Sequence, residues 1–83
     1  MYRLTLTAAA KKDLKTLDKR YRSAVDKALI RIQLNPKIGE PLRGELKGYW
    51  KLRFSRYRII YKIQDFILLI TVFEVRHRRE VYR

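Results

Sequence analysis

The sequence of 83 residues lacks cysteine and contains a single histidine, His77. The absence of cysteine excludes disulfide bonds and thiolate chemistry, and one histidine alone argues against a structural zinc site. No apolar run approaches the roughly 20 residues of a membrane-spanning helix, and the first residues lack a signal-peptide pattern. We therefore expect a cytoplasmic protein that uses no metal or cofactor and does not enter membranes.

Glycine and proline are also scarce, and all five of these residues lie between Pro36 and Gly48. This segment is predicted to be the one long irregular connection of the chain. The total length suits one small domain over residues 1–83.

Acidic residues are few: 8 Asp and Glu stand against 21 Lys and Arg, which gives a net charge of +13. Such a charge implies a polyanionic partner, either nucleic acid, an anionic membrane surface or an acidic protein. The basic residues are concentrated locally, with seven of them against one acid in residues 43–62 and four against one in residues 76–83.

The first half of the chain predicts a short strand followed by two helices. Residues 2–6 alternate apolar and polar side chains, and Thr7 is a suitable N-cap for the helix that follows. Apolar residues at helical spacing predict an αα-hairpin over residues 7–35, which Asn35 and Pro36 end.

The second half predicts three strands at 50–54, 57–63 and 66–75, joined by two-residue turns at 55–56 and 64–65. The fold class is therefore α+β, an antiparallel sheet of about four strands with the helical hairpin on one face. The predicted core face carries Trp50, Leu52, Phe54, Tyr57, Ile59, Tyr61, Phe66, Leu68 and Ile70.

The opposite face of the predicted sheet carries Lys51, Arg53 and Arg58, with Thr71 opposite Arg58. Arg53 lies directly opposite Arg58, and like charges in that position destabilise a sheet. A solvated basic face is one interpretation, whereas an anion bound between the two arginines would explain the pair. The local density of cations favours a phosphate-binding face.

The available chemistry is narrow, because no nucleophile elbow, Gly-rich phosphate loop or suitably spaced carboxylate pair is present. Lys, Arg, Tyr and His side chains suit RNA cleavage without metal, in which a 2′-hydroxyl attacks the adjacent phosphorus. Fixed cations stabilise the charge that develops, and a lysine among other cations loses its proton more readily.

Three stretches resemble the RelE superfamily of toxin–antitoxin ribonucleases: residues 34–36 with 41–44, residues 48–53 (GYWKLR) with 57–61 (YRIIY), and residues 77–82 (HRREVY). The resemblance implies a toxin of a type II toxin–antitoxin system that cleaves mRNA, often in the ribosomal A site. Its implied partners are an acidic antitoxin of the RelB type, mRNA and the ribosome.

The resemblance also implies roles for individual residues. Arg58 matches a phosphate-stabilising arginine, Arg78 a leaving-group or transition-state arginine, and Tyr82 a tyrosine that orients the substrate or stacks on it. The general base is left between Lys51 and Glu40, and His77 could serve as the acid. The remaining basic residues expected to contact RNA phosphates are Lys47, Arg53, Arg56, Arg76, Arg79 and Arg83.

Two alternatives stay open at this point. The first is a ParE-like toxin of the same fold that inhibits DNA gyrase by protein contact. The second is a nucleic-acid-binding module without catalysis.

Overall fold

The computed structural model describes residues 1–77, which form two helices and a five-stranded sheet. The helices are α1 (Ala8–Lys15) and α2 (Lys19–Leu34). The strands are β1 (Arg3–Leu6), β2 (Glu40–Pro41), β3 (Tyr49–Phe54), β4 (Tyr57–Gln64) and β5 (Leu69–His77). The order across the sheet is β1-β5-β4-β3-β2, with β1 parallel to β5 and the other pairs antiparallel.

The α+β class is confirmed, with two differences from the expected sheet of about four antiparallel strands. The fifth strand, β2, has only two residues and is too short to leave a periodic pattern in the sequence. Strand β1 is parallel to its neighbour β5, and the chain between them contains the helical hairpin and strands β2 to β4.

The helical hairpin begins and ends where the sequence predicts. The Thr7 hydroxyl accepts a hydrogen bond from the Ala10 amide at 3.1 Å, and the Asp18 carboxylate accepts one from the Arg20 amide at 2.9 Å. Each cap satisfies an amide that the helix itself leaves unpaired. The helix residues that join the core are Ala10, Leu14, Val25, Ala28, Leu29 and Ile32.

The helices cover one face of the sheet, where Leu52, Ile59, Tyr61, Ile70 and Val72 are buried against them. We call the other face the distal face. The predicted register between β3 and β4 is confirmed, including Arg53 opposite Arg58. Among the described residues, no helix is long and apolar enough to cross a membrane.

The predicted two-residue turn at 64–65 is wrong. Gln64 pairs with Leu69, so the connection has four residues, and Leu68 adopts a left-handed φ of 51°. Phe66, expected in the core, is fully exposed, and Leu68 is about half exposed. A continuous apolar run has no alternation that could locate the turn, and the prediction from the sequence therefore placed the turn wrongly.

A β-bulge in β5 shifts the register a second time, between Ile60 and Tyr61 of the partner strand. Ile60 pairs with Glu74 and Tyr61 pairs with Val72, so Phe73 is the extra residue. The insertion returns Val75 to the core and turns Glu74 and Arg76 to the distal face. The predicted pairing of Arg58 with Thr71 is therefore replaced by pairing with Arg76.

Tyr61 anchors the irregular connection to the sheet. Its hydroxyl is buried and donates a hydrogen bond to the Pro36 carbonyl at 2.6 Å. A Cβ on Gly39 would lie 2.6 Å from both the Lys51 carbonyl oxygen and the Tyr61 hydroxyl, so only glycine fits there. Burial raises the pKa of the Tyr61 hydroxyl, against a smaller lowering by a backbone hydrogen bond from Gly39.

Replacing Tyr61 by Phe is expected to lower the free energy of unfolding by about 1–2 kcal/mol near pH 7, because the Pro36 carbonyl loses its buried donor. The raised pKa means that the folded state keeps the tyrosine proton to higher pH than the unfolded state. The advantage of the wild type is therefore complete below pH 10.0, the ordinary value, and shrinks as the pH rises through the folded-state pKa. Urea denaturation at pH 7 and above pH 10 measures both effects. Tyr21→Phe is the matched control, and an equal loss in the two variants would contradict the role of Tyr61.

Candidate functional site

Three arginines occupy directly paired positions on adjacent strands of the distal face. Arg53 on β3 pairs with Arg58 on β4, which pairs in turn with Arg76 on β5. We call these residues the arginine row. Each like-charged pair costs roughly a few tenths of a kcal/mol, so the sheet gains nothing from the row unless an anion lies beside it.

A carboxylate supplies part of that negative charge. Glu74 accepts hydrogen bonds from Arg58 Nε at 3.2 Å and Nη2 at 2.9 Å through its Oε2 atom. Its Oε1 atom lies 3.7 Å from Arg76 Nε, which is also 3.7 Å from Asp13 Oδ2. The side chains of Arg58 and Glu74 are 26% and 24% exposed, so the pair is largely shielded from water.

Asp13 has a second contact that closes the free edge of β5. The pairing of β1 with β5 ends where Leu6 lies opposite Val72. Beyond that pair, the Asp13 carboxylate accepts a hydrogen bond from the Val75 amide at 3.1 Å. Helix α1 therefore completes the sheet edge with a side chain next to Arg76.

The two predicted candidates for the general base form an ion pair. Lys51 Nζ lies 3.4 Å from Glu40 Oε1 across the β2–β3 pairing, with Lys51 14% exposed and Glu40 63% exposed. Both residues line a groove of about 290 Å³, which Arg53 also borders. The groove thus joins Lys51 to one end of the arginine row.

The distal face also carries a group that the sequence analysis missed. The rings of Tyr49 and Phe73 meet edge to face with centroids 5.2 Å apart, and the Lys62 ammonium lies 4.4 Å from the centroid of the Tyr49 ring. Phe73 reaches this group because it is the extra residue of the bulge. Lys62 extends the basic surface beyond Lys51 and adds a cation–π contact.

His77 does not lie with the arginine row. It pairs with Tyr57, whose buried ring is on the helix side of the sheet, and the two ring centroids are 5.2 Å apart. His77 and Tyr57 line a groove of about 310 Å³ together with Asp13 and Tyr21. Strand alternation thus separates His77 from Arg58, although both belong to paired strands.

The other residues predicted to contact RNA lie away from the arginine row or outside the described residues. Lys47 and Arg56 are exposed in the connections before and after β3, outside the arginine row. Arg78, Arg79, Tyr82 and Arg83 lie outside the described residues. Within residues 1–77, no group of three His, Asp or Glu side chains is arranged to hold a metal ion.

The arrangement of charges on the distal face can bind a phosphate. Guanidinium groups bind phosphate oxygens with paired donors, and a surface of one sign concentrates anions near it. Glu74 compensates part of the charge on Arg58 and Arg76, whereas the side chain of Arg53 is exposed at the groove.

Inorganic pyrophosphate is therefore expected to raise the melting temperature. At about ten times the dissociation constant the stabilisation is about 1.4 kcal/mol, which shifts the melting temperature of a domain of this size by roughly 5–10 °C. Arg53→Gln should remove most of this shift, whereas Arg31→Gln on α2 should keep it. The measurement is differential scanning fluorimetry against chloride at equal ionic strength, and equal shifts in both variants would contradict a site on the distal face.

A family model described as "ParE toxin of type II toxin-antitoxin system, parDE" matches residues 4–82. Toxin RelG of Mycobacterium tuberculosis is 34% identical over 84 residues, which cover 99% of this chain and 97% of that protein.

Two solved structures share the fold over nearly their whole length. The toxin–antitoxin complex RelBE2 of Mycobacterium tuberculosis contains a chain with a TM-score of 0.87 and 33% identity, covering 93% of this chain and 98% of that chain. The isolated RelE toxin of E. coli gives a TM-score of 0.81 and 29% identity, covering 99% of this chain and 92% of that chain.

Proposed function

We propose that this chain, which belongs to the RelE/ParE superfamily of toxins of type II toxin–antitoxin systems, is an endoribonuclease that cleaves mRNA and inhibits translation. The arginine row carries the proposal. Three guanidinium groups in register, flanked by Lys51, form a receptor for the backbone of a polyanion. Like-charged pairs across strands do not themselves stabilise a sheet, and Glu74 and Asp13 balance only part of the charge of the row.

The proposed reaction starts when Lys51 or Glu40 accepts the proton of a ribose 2′-hydroxyl. The freed oxygen attacks the adjacent phosphorus, the bond to the 5′-oxygen breaks, and that oxygen takes up a proton from solvent. Arg58 and Arg53 bind the phosphate and stabilise the negative charge that grows on it. By resemblance, Arg78 acts at the leaving group, and Tyr82 orients the substrate or stacks on it. The Lys and Arg cations supply the stabilising charge, so the proposed reaction needs no metal.

Lys51 is the stronger of the two candidates for the base. Its Nζ is shielded from solvent beside Arg53, whereas the Glu40 carboxylate is mostly exposed and lies 3.4 Å from Lys51 Nζ. Glu40 then stabilises the protonated lysine that results.

The proposed partners follow from charge and from the structural relatives. The RelBE2 complex holds a toxin with its antitoxin, and a cognate antitoxin with an acidic segment fits the +13 charge of this chain. The proposed substrate is mRNA in the ribosomal A site, within the cytoplasm. Phosphate contacts of this kind position RNA without reading its sequence.

A ParE-like inhibitor of DNA gyrase is the second candidate function, and the description of the matched family favours it. Such an inhibitor would act through protein contact and would leave RNA intact. Incubation with mRNA, with and without translating ribosomes, followed by mapping of the RNA ends, separates the two functions and also reveals binding without cleavage.

Arg58→Ala is expected to reduce cleavage by about 10²- to 10³-fold, because a fixed cation that meets developing charge contributes about 3–4 kcal/mol to the transition state. The fold should persist, as judged by circular dichroism and by binding of the cognate antitoxin. Arg31→Ala, an exposed position on α2, is the control and should retain the wild-type rate. Wild-type cleavage by the Arg58 variant, or loss of its fold, would contradict the proposed site.

Lys51→Arg tests the general base, because arginine keeps the positive charge but holds its proton at any accessible pH. The expected result is a fall in the cleavage rate of about 10²- to 10⁴-fold with RNA affinity unchanged. Arg53→Lys serves as the matched exchange in the opposite direction and should retain most of the activity. If Glu40→Gln abolishes cleavage and Lys51→Arg does not, the base is Glu40.

A further inference from the structure

We propose that Glu74 is a positioning residue that fixes the guanidinium of Arg58 so that one edge of it meets the substrate phosphate. This inference rests on the proposed function and adds a residue that the sequence analysis did not single out. Glu74 would orient Arg58 in the free protein, before RNA binds.

The hydrogen bonds define which edge of Arg58 is occupied. Glu74 Oε2 accepts from Nε and Nη2, the two donors along one side of the planar group. The opposite end, with Nη1 and the second hydrogen of Nη2, keeps its donors for a phosphate. Holding the side edge therefore leaves the end of the guanidinium in a defined orientation.

The second oxygen of Glu74 connects Arg58 to the next cation in the row. Glu74 Oε1 lies 3.7 Å from Arg76 Nε, so one carboxylate bridges two arginines at directly paired positions. The bridge reduces their repulsion, and Asp13 holds Arg76 from the other side at 3.7 Å. A long flexible side chain on β4 is thereby fixed from the neighbouring strand.

The β-bulge shows that this placement depends on one extra residue. If β5 kept Phe73 but had no bulge, regular alternation from Val72 would turn Glu74 to the helix side of the sheet. The bulge shifts the register between Ile60 and Tyr61, and Ile60 lies two residues from Arg58 along β4. Bulges often re-aim side chains next to functional sites, and here the re-aimed side chain is Glu74.

Opposite effects on catalysis and on binding distinguish positioning from a merely structural role. A carboxylate beside the phosphate site weakens RNA binding electrostatically, by about threefold for one unit charge roughly 7 Å away in water. The same carboxylate fixes Arg58, and a misplaced catalytic group can lower the rate by about 10- to 100-fold. Loss of the charge should therefore slow the reaction and tighten binding.

The test compares Glu74→Gln with the wild type in three measurements. We expect kcat to fall by about 10- to 100-fold while KM stays the same or falls. The dissociation constant of a 2′-O-methyl RNA, which cannot react, should fall by about threefold. In NMR spectra, the Nε–H signal of Arg58 should be present in the wild type and broadened or shifted in the variant. Asp26→Asn on α2 removes one negative charge from the helix side and should change none of these values.

The proposal is overturned if Glu74→Gln leaves kcat within twofold, or if kcat and RNA affinity fall by the same factor. If the wild-type protein cleaves no RNA, the proposed function fails. The Arg58 NMR signal and the affinity for 2′-O-methyl RNA then still decide whether Glu74 orients Arg58 toward a phosphate. An unchanged Arg58 signal in the variant would overturn the positioning role in either case.

Discussion

Strand β4 is hydrogen-bonded on both sides, to β3 and to β5, and its alternation determines which residues of the sheet enter the core. Tyr57, Ile59 and Tyr61 point toward the helices, so Arg58 must point away from them. A slip of one residue would bury the arginine and expose the core. The burial of these apolar side chains therefore fixes the position of the cation on which the proposed chemistry depends.

The same pairing forces positive charges together. Arg53, Arg58 and Arg76 cannot move apart without breaking strand pairs that carry the core. The chain reduces the repulsion with Glu74 and Asp13, and the exposed Arg53 remains at the groove beside Lys51. The hydrophobic packing on the helix side thus positions the cations of the proposed phosphate site.

The sequence predicted the elements in which short periodicity and a cap or turn agree. Helix boundaries at Thr7 and Asn35 and the register across the turn at 55–56 are examples. The β4–β5 connection could not be predicted, because residues 66–70 are all apolar and give no alternation. The bulge at Phe73 was hidden for the same reason, and with it the partner of Arg58.

In the candidate site too, some residues could be placed from the sequence and others could not. Lys51, Arg53 and Arg58 could be placed on one face because they alternate with core residues on strands of known register. Glu74 is a single acid within an apolar run of the sequence, and its proposed role depends on a long-range contact with β4. His77 was grouped with the arginines by proximity in sequence, whereas the strand register puts it beside Tyr57. The residues that face each other across two strands cannot be predicted from local sequence once a bulge changes the register.

The chemical identity of the cleaved RNA ends tests the central claim most directly. Attack by the 2′-hydroxyl under the arginine row must leave a 2′,3′-cyclic phosphate on one fragment and a 5′-hydroxyl on the other. Mass spectrometry of fragments produced on translating ribosomes by the wild type, with the Arg58→Ala variant as background, makes the distinction. The account predicts cyclic phosphate ends that depend on Arg58; fragments with 3′-hydroxyl and 5′-phosphate ends, or intact RNA, would contradict it.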